Sequence, residues 1–171
     1  YIASSSPFTF IGGDIENGEQ IFINSSDSSG QGLFVFNTND TSYFINIEFY
    51  NLKNPLKNRW NLDGVLNFYE SDVQFANCIF KNNNSEDGLN IIRSRFEIKN
   101  CLFENIHSDA IDIDFSSGSI ANSNFLNCYN NALDFSGSNA NLNNIIIINS
   151  RHKGITVGEN SKLIIKDVNI S

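Results

Sequence analysis

The sequence predicts an all-β chain, a right-handed parallel β-helix of about 22-residue coils, on three observations. A phrase returns at fixed intervals as Gly88-Leu89-Asn90-Ile91, Ala110-Ile111-Asp112-Ile113, Ala132-Leu133-Asp134-Phe135 and Gly154-Ile155-Thr156-Val157. Each copy runs small, apolar, polar, apolar, the period-2 pattern of a strand with one buried face. A second ladder follows it: Phe75-Ala76-Asn77-Cys78-Ile79-Phe80 aligns with Ile98-Lys99-Asn100-Cys101-Leu102-Phe103, Ile120-Ala121-Asn122-Ser123-Asn124-Phe125 and Leu142-Asn143-Asn144-Ile145-Ile146-Ile147. Finally, helical i, i+3, i+4 patterning is absent, while one period holds three short strands with tight bends. Such a repeat stacks so that each turn touches mainly its neighbours. The hand follows from the general preference of parallel crossovers.

In chain order, residues 1–63 read as irregular early coils and 64–171 as regular ones, all in a single domain. Phe8-Thr9-Phe10, Ile21-Phe22-Ile23 and Leu33-Phe34-Val35-Phe36 read as strands, Gly12-Gly13-Asp14 and Ser25–Gly30 as turns. Leu52–Leu62, with Pro55 and Trp60, is the longest interruption and reads as a corner loop. The last copy, Ile165–Ser171, runs one residue late and stops inside the second ladder, which predicts truncation at the C-terminus. With a start at Tyr1 and no methionine, the chain reads as a processed piece.

Asn77, Asn100, Asn122 and Asn144 fall in one column at a bend. Asparagine carries a donor and an acceptor and tolerates left-handed backbone, so this ladder is expected to be structural. Cys78 and Cys101 share another column, and Cys128 lies elsewhere. Small buried hydrophobes are the expectation for all three, with a Cys78–Cys101 bridge as the alternative.

A net charge of −8 argues against nucleic acid, which asks for a basic stripe. There is no run of 18 apolar residues and no basic-then-apolar leader in this segment, so no membrane span is expected.

Trp60-Asn61-Leu62-Asp63-Gly64-Val65-Leu66-Asn67-Phe68-Tyr69-Glu70-Ser71, Asn90-Ile91-Ile92-Arg93-Ser94, Asp109-Ala110-Ile111-Asp112, Ala132–Ser138 and Lys153–Glu159 resemble a branch of the right-handed parallel β-helix repeat proteins in the pectin-lyase-like superfamily. That branch often accompanies spore-coat-H-type kinase-like proteins. The resemblance spans roughly residues 30–171 and is specific for fold. It implies extracellular polysaccharide chemistry or a surface role, and brings no agreed reaction with it.

Chemistry is expected on one outward column: Asn67, Asn90, Asp112, Asp134, Thr156. Coils lie about 4.8 Å apart. Two unpaired carboxylates at that spacing repel by roughly 3 kcal/mol, about two pKa units. Either one holds a proton or a cation sits between them. The candidate catalytic set is Asp112, Asp114, Asp134, His152 and Lys153; Asp112, Asp114 and Asp134 are the candidate Ca²⁺ ligands, and no other cofactor is expected. Trp60, Tyr69 and Tyr129 are candidate platforms for sugar rings.

Two functions follow as expectations. One is an extracellular or cell-surface module with a structural, surface-assembly or glycan-binding role, stacking end to end with neighbouring subunits at its open coil ends. The other is a polysaccharide lyase, epimerase or hydrolase at the Asp112/Asp134 face. No residue set names a reaction by itself.

Overall fold

The computed structural model describes residues 2–14, 16–57 and 60–171, with only the backbone of residues 56, 57, 60 and 61. Among these residues there is no helix. The chain is a parallel β-solenoid of about 6 turns. One wall is a seven-stranded parallel sheet of Ile2–Ser4, Leu33–Phe36, Gly64–Tyr69, Asp87–Ile92, Asp109–Asp114, Leu133–Ser136 and Ile155–Gly158. The other two walls form one bent sheet. Its first arm runs from Thr9–Ile11 through Ser42–Ile45, Val73–Ala76 and Arg95–Lys99, and its second from Ile21–Asn24 through Ile47–Tyr50, Ile79–Lys81 and Leu102–Ile106. From Ser117–Cys128 onward single long strands serve both arms, as in Asn139–Ile148 and Lys162–Ile170.

The expected register is the observed one. Phe75 pairs with Ile98, Ile98 with Ile120, Ile120 with Leu142, and Leu142 with Ile165, one residue late as the sequence suggested. Alternation along each strand turns these residues inward, so the core is a set of continuous columns. Phe80 and Phe103 stack with ring centroids 4.4 Å apart, and Phe103 and Phe125 follow at 5.0 Å. Early coils are longer because loops are inserted between the same strands; one of these, 51–63, carries an antiparallel pair, Leu56–Lys57 with Trp60–Asn61.

The bends are held by polar ladders. In the first, Asn77 donates to Asn46 Oδ1 at 3.0 Å, Asn100 to Asn77 at 3.0 Å, Asn122 to Asn100 at 3.2 Å and Asn144 to Asn122 at 3.0 Å. All five have φ between 50° and 55°. A second ladder, not anticipated, joins Asn82, Asn105, Asn127 and Asn149 at 3.0–3.1 Å. At the third bend the backbone N–H of Ser71, Ser94, Ser116 and Ser138 each donates to the hydroxyl of the serine one rung on, at 2.9–3.0 Å. These serines are buried, so the ladder satisfies backbone groups that water does not reach.

The first ladder yields a prediction. Asn100→Ala removes two side-chain hydrogen bonds and leaves a Cβ residue at φ 54° without a side chain suited to it. Asn100→Gly loses the same bonds but suits the backbone. In urea unfolding, Ala should cost about 2 kcal/mol and Gly about 1 kcal/mol less than Ala.

All three cysteines are buried free thiols, so the disulfide alternative is not realised. Cys78 donates to the Phe44 carbonyl and Cys101 to that of Lys99. Burial pushes the Cys128 thiol up to about 12, which leaves it inert at neutral pH.

Candidate functional site

The outer face of the seven-stranded sheet carries the expected column. Asn67 pairs with Asn90, Asn90 with Asp112, Asp112 with Asp134 and Asp134 with Thr156 in register. The column grades from buried Asn67 and Asn90 to partly exposed Asp112 and Asp134. It ends on Thr156 Oγ1, which is out of solvent with no hydrogen-bond partner in the structure.

The strand that opens each coil departs from strict alternation. Ala110 and Ile111 are adjacent yet both fully buried, as are Ala132 and Leu133. The small residue therefore faces the core rather than solvent, contrary to a simple period-2 reading. At Gly88 an added Cβ would lie 2.8 Å from the Ala110 carbonyl oxygen, so that rung has no room for even a methyl group. The inward turn of the small residue has a chemical consequence: residues on either side of the small-apolar pair come to the same outer face. Asn90 Nδ2 donates to Asp87 Oδ2 at 3.0 Å, Asn131 Nδ2 to Asp134 Oδ2 at 3.1 Å, and Asn67 Nδ2 to the Gly64 carbonyl.

Two linked groups result. In one, the Asn90 amide bridges Asp87 and, at 3.3 Å, Asp112. In the other, Asp109 Oδ1 accepts from the Asn131 backbone N–H at 2.7 Å while His152 Nδ1 lies 3.1 Å from Asn131 Oδ1. His152 thus reaches Asp134 only through Asn131. Lys153 is exposed, and among the described residues its ammonium makes no ion pair with the column. Asp114 lies beside Ser136 at the end of its strand.

Burial raises the carboxyls here. Asp112 is pushed up to about 7, by burial first and then by Asp114, Asp134 and Asp109. Asp87 goes up to about 8, again by burial first and then by Asp112, with the Asn90 hydrogen bond opposing. Asp109 and Asp114 shift upward for the same leading reason, as does Asp63, beside Glu86. Repulsion between rungs is real but secondary to desolvation.

Next to this face lies a cleft of about 230 Å³ lined by Phe34, Leu62, Asp63, Asn67, Tyr69 and Asn90. Leu62 and Asp63, at the end of the inserted loop, form part of its wall. Arg93 fixes Tyr69: its guanidinium donates to the phenol oxygen at 2.7 Å and lies 5.7 Å from the ring centroid. Tyr129 is engaged elsewhere, 4.2 Å below the Arg151 guanidinium, and the Trp60 side chain lies outside the described residues. Two larger, shallower grooves, about 660 and 700 Å³, run along the bent sheet and the first asparagine ladder, away from the carboxylates.

Among the described residues no three His, Cys, Asp or Glu side chains converge to hold a metal ion. Nor is any helix long and apolar enough to cross a membrane. Asp87, Asn131 and Asp63 are the members of the face that the strand pattern alone did not assign to the site. For Asp87 and Asn131 the signal is the polar-small-apolar-polar phrase Asp87–Asn90, Asp109–Asp112, Asn131–Asp134; Asp63 lies outside it.

Fold and face together define a parallel β-solenoid with a half-buried acidic and amide surface on one wall. Comparison of the chain with protein-family profiles, curated proteins and solved structures finds no match.

Proposed function

We propose that the chain is a rigid extracellular or cell-surface module that binds a neutral glycan across the outer face of the seven-stranded sheet. The observation that carries this reading is the cleft between Tyr69, Asn67 and Asn90, continuous with the Asp87–Asn90–Asp112 group. A sugar presents hydroxyls that both donate and accept, with apolar ring faces between them. Amides, carboxyls that hold protons near neutral pH, and a clamped tyrosine ring match that chemistry. The acidic surroundings disfavour a polyuronate without a bridging cation. Resemblance to pectin-lyase-like β-helix proteins supports a polysaccharide as the partner class.

Calorimetry against neutral glucans, xylans and mannans, with polygalacturonate in parallel, tests it. The native chain should bind a neutral polymer, and Tyr69→Ala and Asp112→Asn should each weaken binding about tenfold, the effect of losing one stacking or hydrogen-bonding partner. Absence of binding across the panel, or variants that bind unchanged, would overturn the proposal.

A second reading is favoured by one observation: Asp112, held up to about 7, is poised to exchange a proton near neutral pH. On that reading the face is a polysaccharide lyase, epimerase or hydrolase, with Asp112 as acid or base and Asp134 beside it. Turnover of a polymer that stops in Asp134→Asn, with the melting temperature kept, supports it; a panel without turnover, with and without Ca²⁺, counts against it.

A further inference from the structure

We propose that the stacked corner of Tyr69, Arg93 and Phe115 reads an acidic side group on the glycan: Arg93 takes the carboxylate or sulfate of a branch while the neutral backbone lies in the cleft beside it. This rests on the glycan-binding reading of that wall and narrows it to neutral polymers with sparse acidic branches.

The corner stands on the third bend, between the seven-stranded sheet and the first arm of the bent sheet. Each rung turns there through a left-handed residue whose backbone N–H donates to a carbonyl of the next rung. Glu70 donates to Ile92 and Arg93 to Asp114 at 2.9 Å, and Phe115 to Ser136 at 2.8 Å. The other two bends fill that position with asparagine, from Asn46 to Asn144 in one ladder and from Asn82 to Asn149 in the other. Here Glu70, Arg93 and Phe115 hold φ at 49–50°. None has the short polar side chain that eases left-handed backbone, so these rungs carry strain that asparagine would relieve. Side chains kept against such strain point to a role beyond the fold.

The contacts say what that role is. The Arg93 guanidinium lies between two rings, 5.7 Å from the centroid of Tyr69 one rung before and 5.9 Å from that of Phe115 one rung on. Phe115 is 55 % exposed, and its ring rests over the bare backbone of Gly137, where an added Cβ would come within 2.6 Å of it. Nη1 of Arg93 donates to the Tyr69 phenol oxygen. Among the described residues the guanidinium makes no ion pair, although Glu70 precedes it in the column and Asp114 follows. Nε and Nη2 leave one edge of a planar fork open, and that edge fits two oxygens of a single anion. In a chain of net charge −8, a clamped and unpaired arginine is a local exception.

The fork adjoins the proposed site. Tyr69 and Ile92, the residue before Arg93, both line the cleft of about 230 Å³. A sugar stacked on Tyr69 therefore brings its substituents to Arg93. The rest of that wall is acidic, with Asp63 in the cleft and Asp87 and Asp112 beyond it. A polymer charged on every ring meets those carboxyls, whereas an isolated acidic branch meets Arg93 alone.

Calorimetry with a glucuronate-branched xylan, the same polymer after carboxyl reduction, and a xylan sulfate tests this. Reduction turns each uronate into a neutral sugar, so the ratio of affinities isolates the charge. The native chain should bind an acidic form about tenfold tighter than the neutral one, the effect of one charge-assisted pair. Bulk charge predicts the opposite sign. Whichever acidic polymer holds the advantage identifies the group as carboxylate or sulfate. Arg93→Asn, which suits the bend, should bring the ratio to about one with an equal or higher melting temperature. Arg93→Lys keeps the charge without the fork and should hold a smaller ratio than the native chain. A chain that binds neutral polymers but prefers neither acidic form overturns this proposal and leaves the glycan reading standing. A preference that survives unchanged in both variants also overturns it, and a chain that binds no polymer at all overturns both.

Discussion

The melting temperature should fall as pH rises from about 5 to about 9, and Asp87→Asn should remove the largest single share of that fall. The folded protein raises Asp87 from 3.8 to about 8 and Asp112 from 3.8 to about 7, chiefly by burying them. A carboxyl whose pKa is higher folded than unfolded binds its proton more tightly in the native state. Its contribution is therefore fully present below about pH 4 and is lost as pH climbs through the folded value. For Asp87 the ceiling is about 6 kcal/mol, and part of it is shared with Asp112 because the two carboxyls repel each other. The other acidic groups of this wall, Asp63, Asp109 and Asp114, shift in the same direction. Asp27 runs the opposite way: hydrogen bonds from Ser29 hold it down to about 2, so it favours the fold above pH 4 and matters only in acid. Asparagine at 87 still accepts from Asn90 but carries no charge. Thermal unfolding from pH 5 to 9 checks this; a native profile that is flat or rises over that range contradicts it.

Phe103→Ala should be the most damaging single truncation in the core. Phe103 is fully buried and lies between Phe80, nearly parallel at 3°, and Phe125 at 10°. Rungs are pinned by backbone pairing on both sides, so neighbours cannot collapse into the space left behind. The cavity cost then adds to the lost transfer free energy, about 3–5 kcal/mol in total. For a chain of this size that lowers the melting temperature by roughly 8–15 °C. Phe115→Ala is the control, because that ring is 55 % exposed and should move stability little. A loss below about 1 kcal/mol for Phe103→Ala would mean that the aromatic column is not a continuous packed unit.

Most of the architecture was legible because one period registers every column at once. Aligning Phe80, Phe103 and Phe125 in the sequence already places them on top of one another. The serine ladder carried the same signal, since Ser71, Ser94, Ser116 and Ser138 recur at the same spacing. Serine is common at any bend, however, and its burial becomes evident only once the rungs are stacked. The acidic wall was legible by half. Period-2 logic puts Asp112 and Asp134 outward, as found, but sends residues three apart to opposite faces. It therefore separates Asp87 from Asn90 and Asn131 from Asp134, pairs that touch because the small residue between them turns into the core. It also assigns the carboxyl shifts to repulsion between rungs, whereas burial is the larger cause. His152 and Lys153, both in the candidate catalytic set, lie one rung beyond Asn130 and Ala132, yet among the described residues neither pairs with a carboxyl of the column.

The most direct test of the account is a chemical-shift map of the isotope-labelled chain titrated with the tightest-binding glycan of the panel. Binding at the proposed face predicts shifts concentrated in Leu66–Tyr69, Leu89–Ile92 and Ile111–Asp114, together with Asp63 and Asp87. Shifts centred on the bent sheet around Arg95, Gly118 and Lys162, or on the first asparagine ladder, would contradict it.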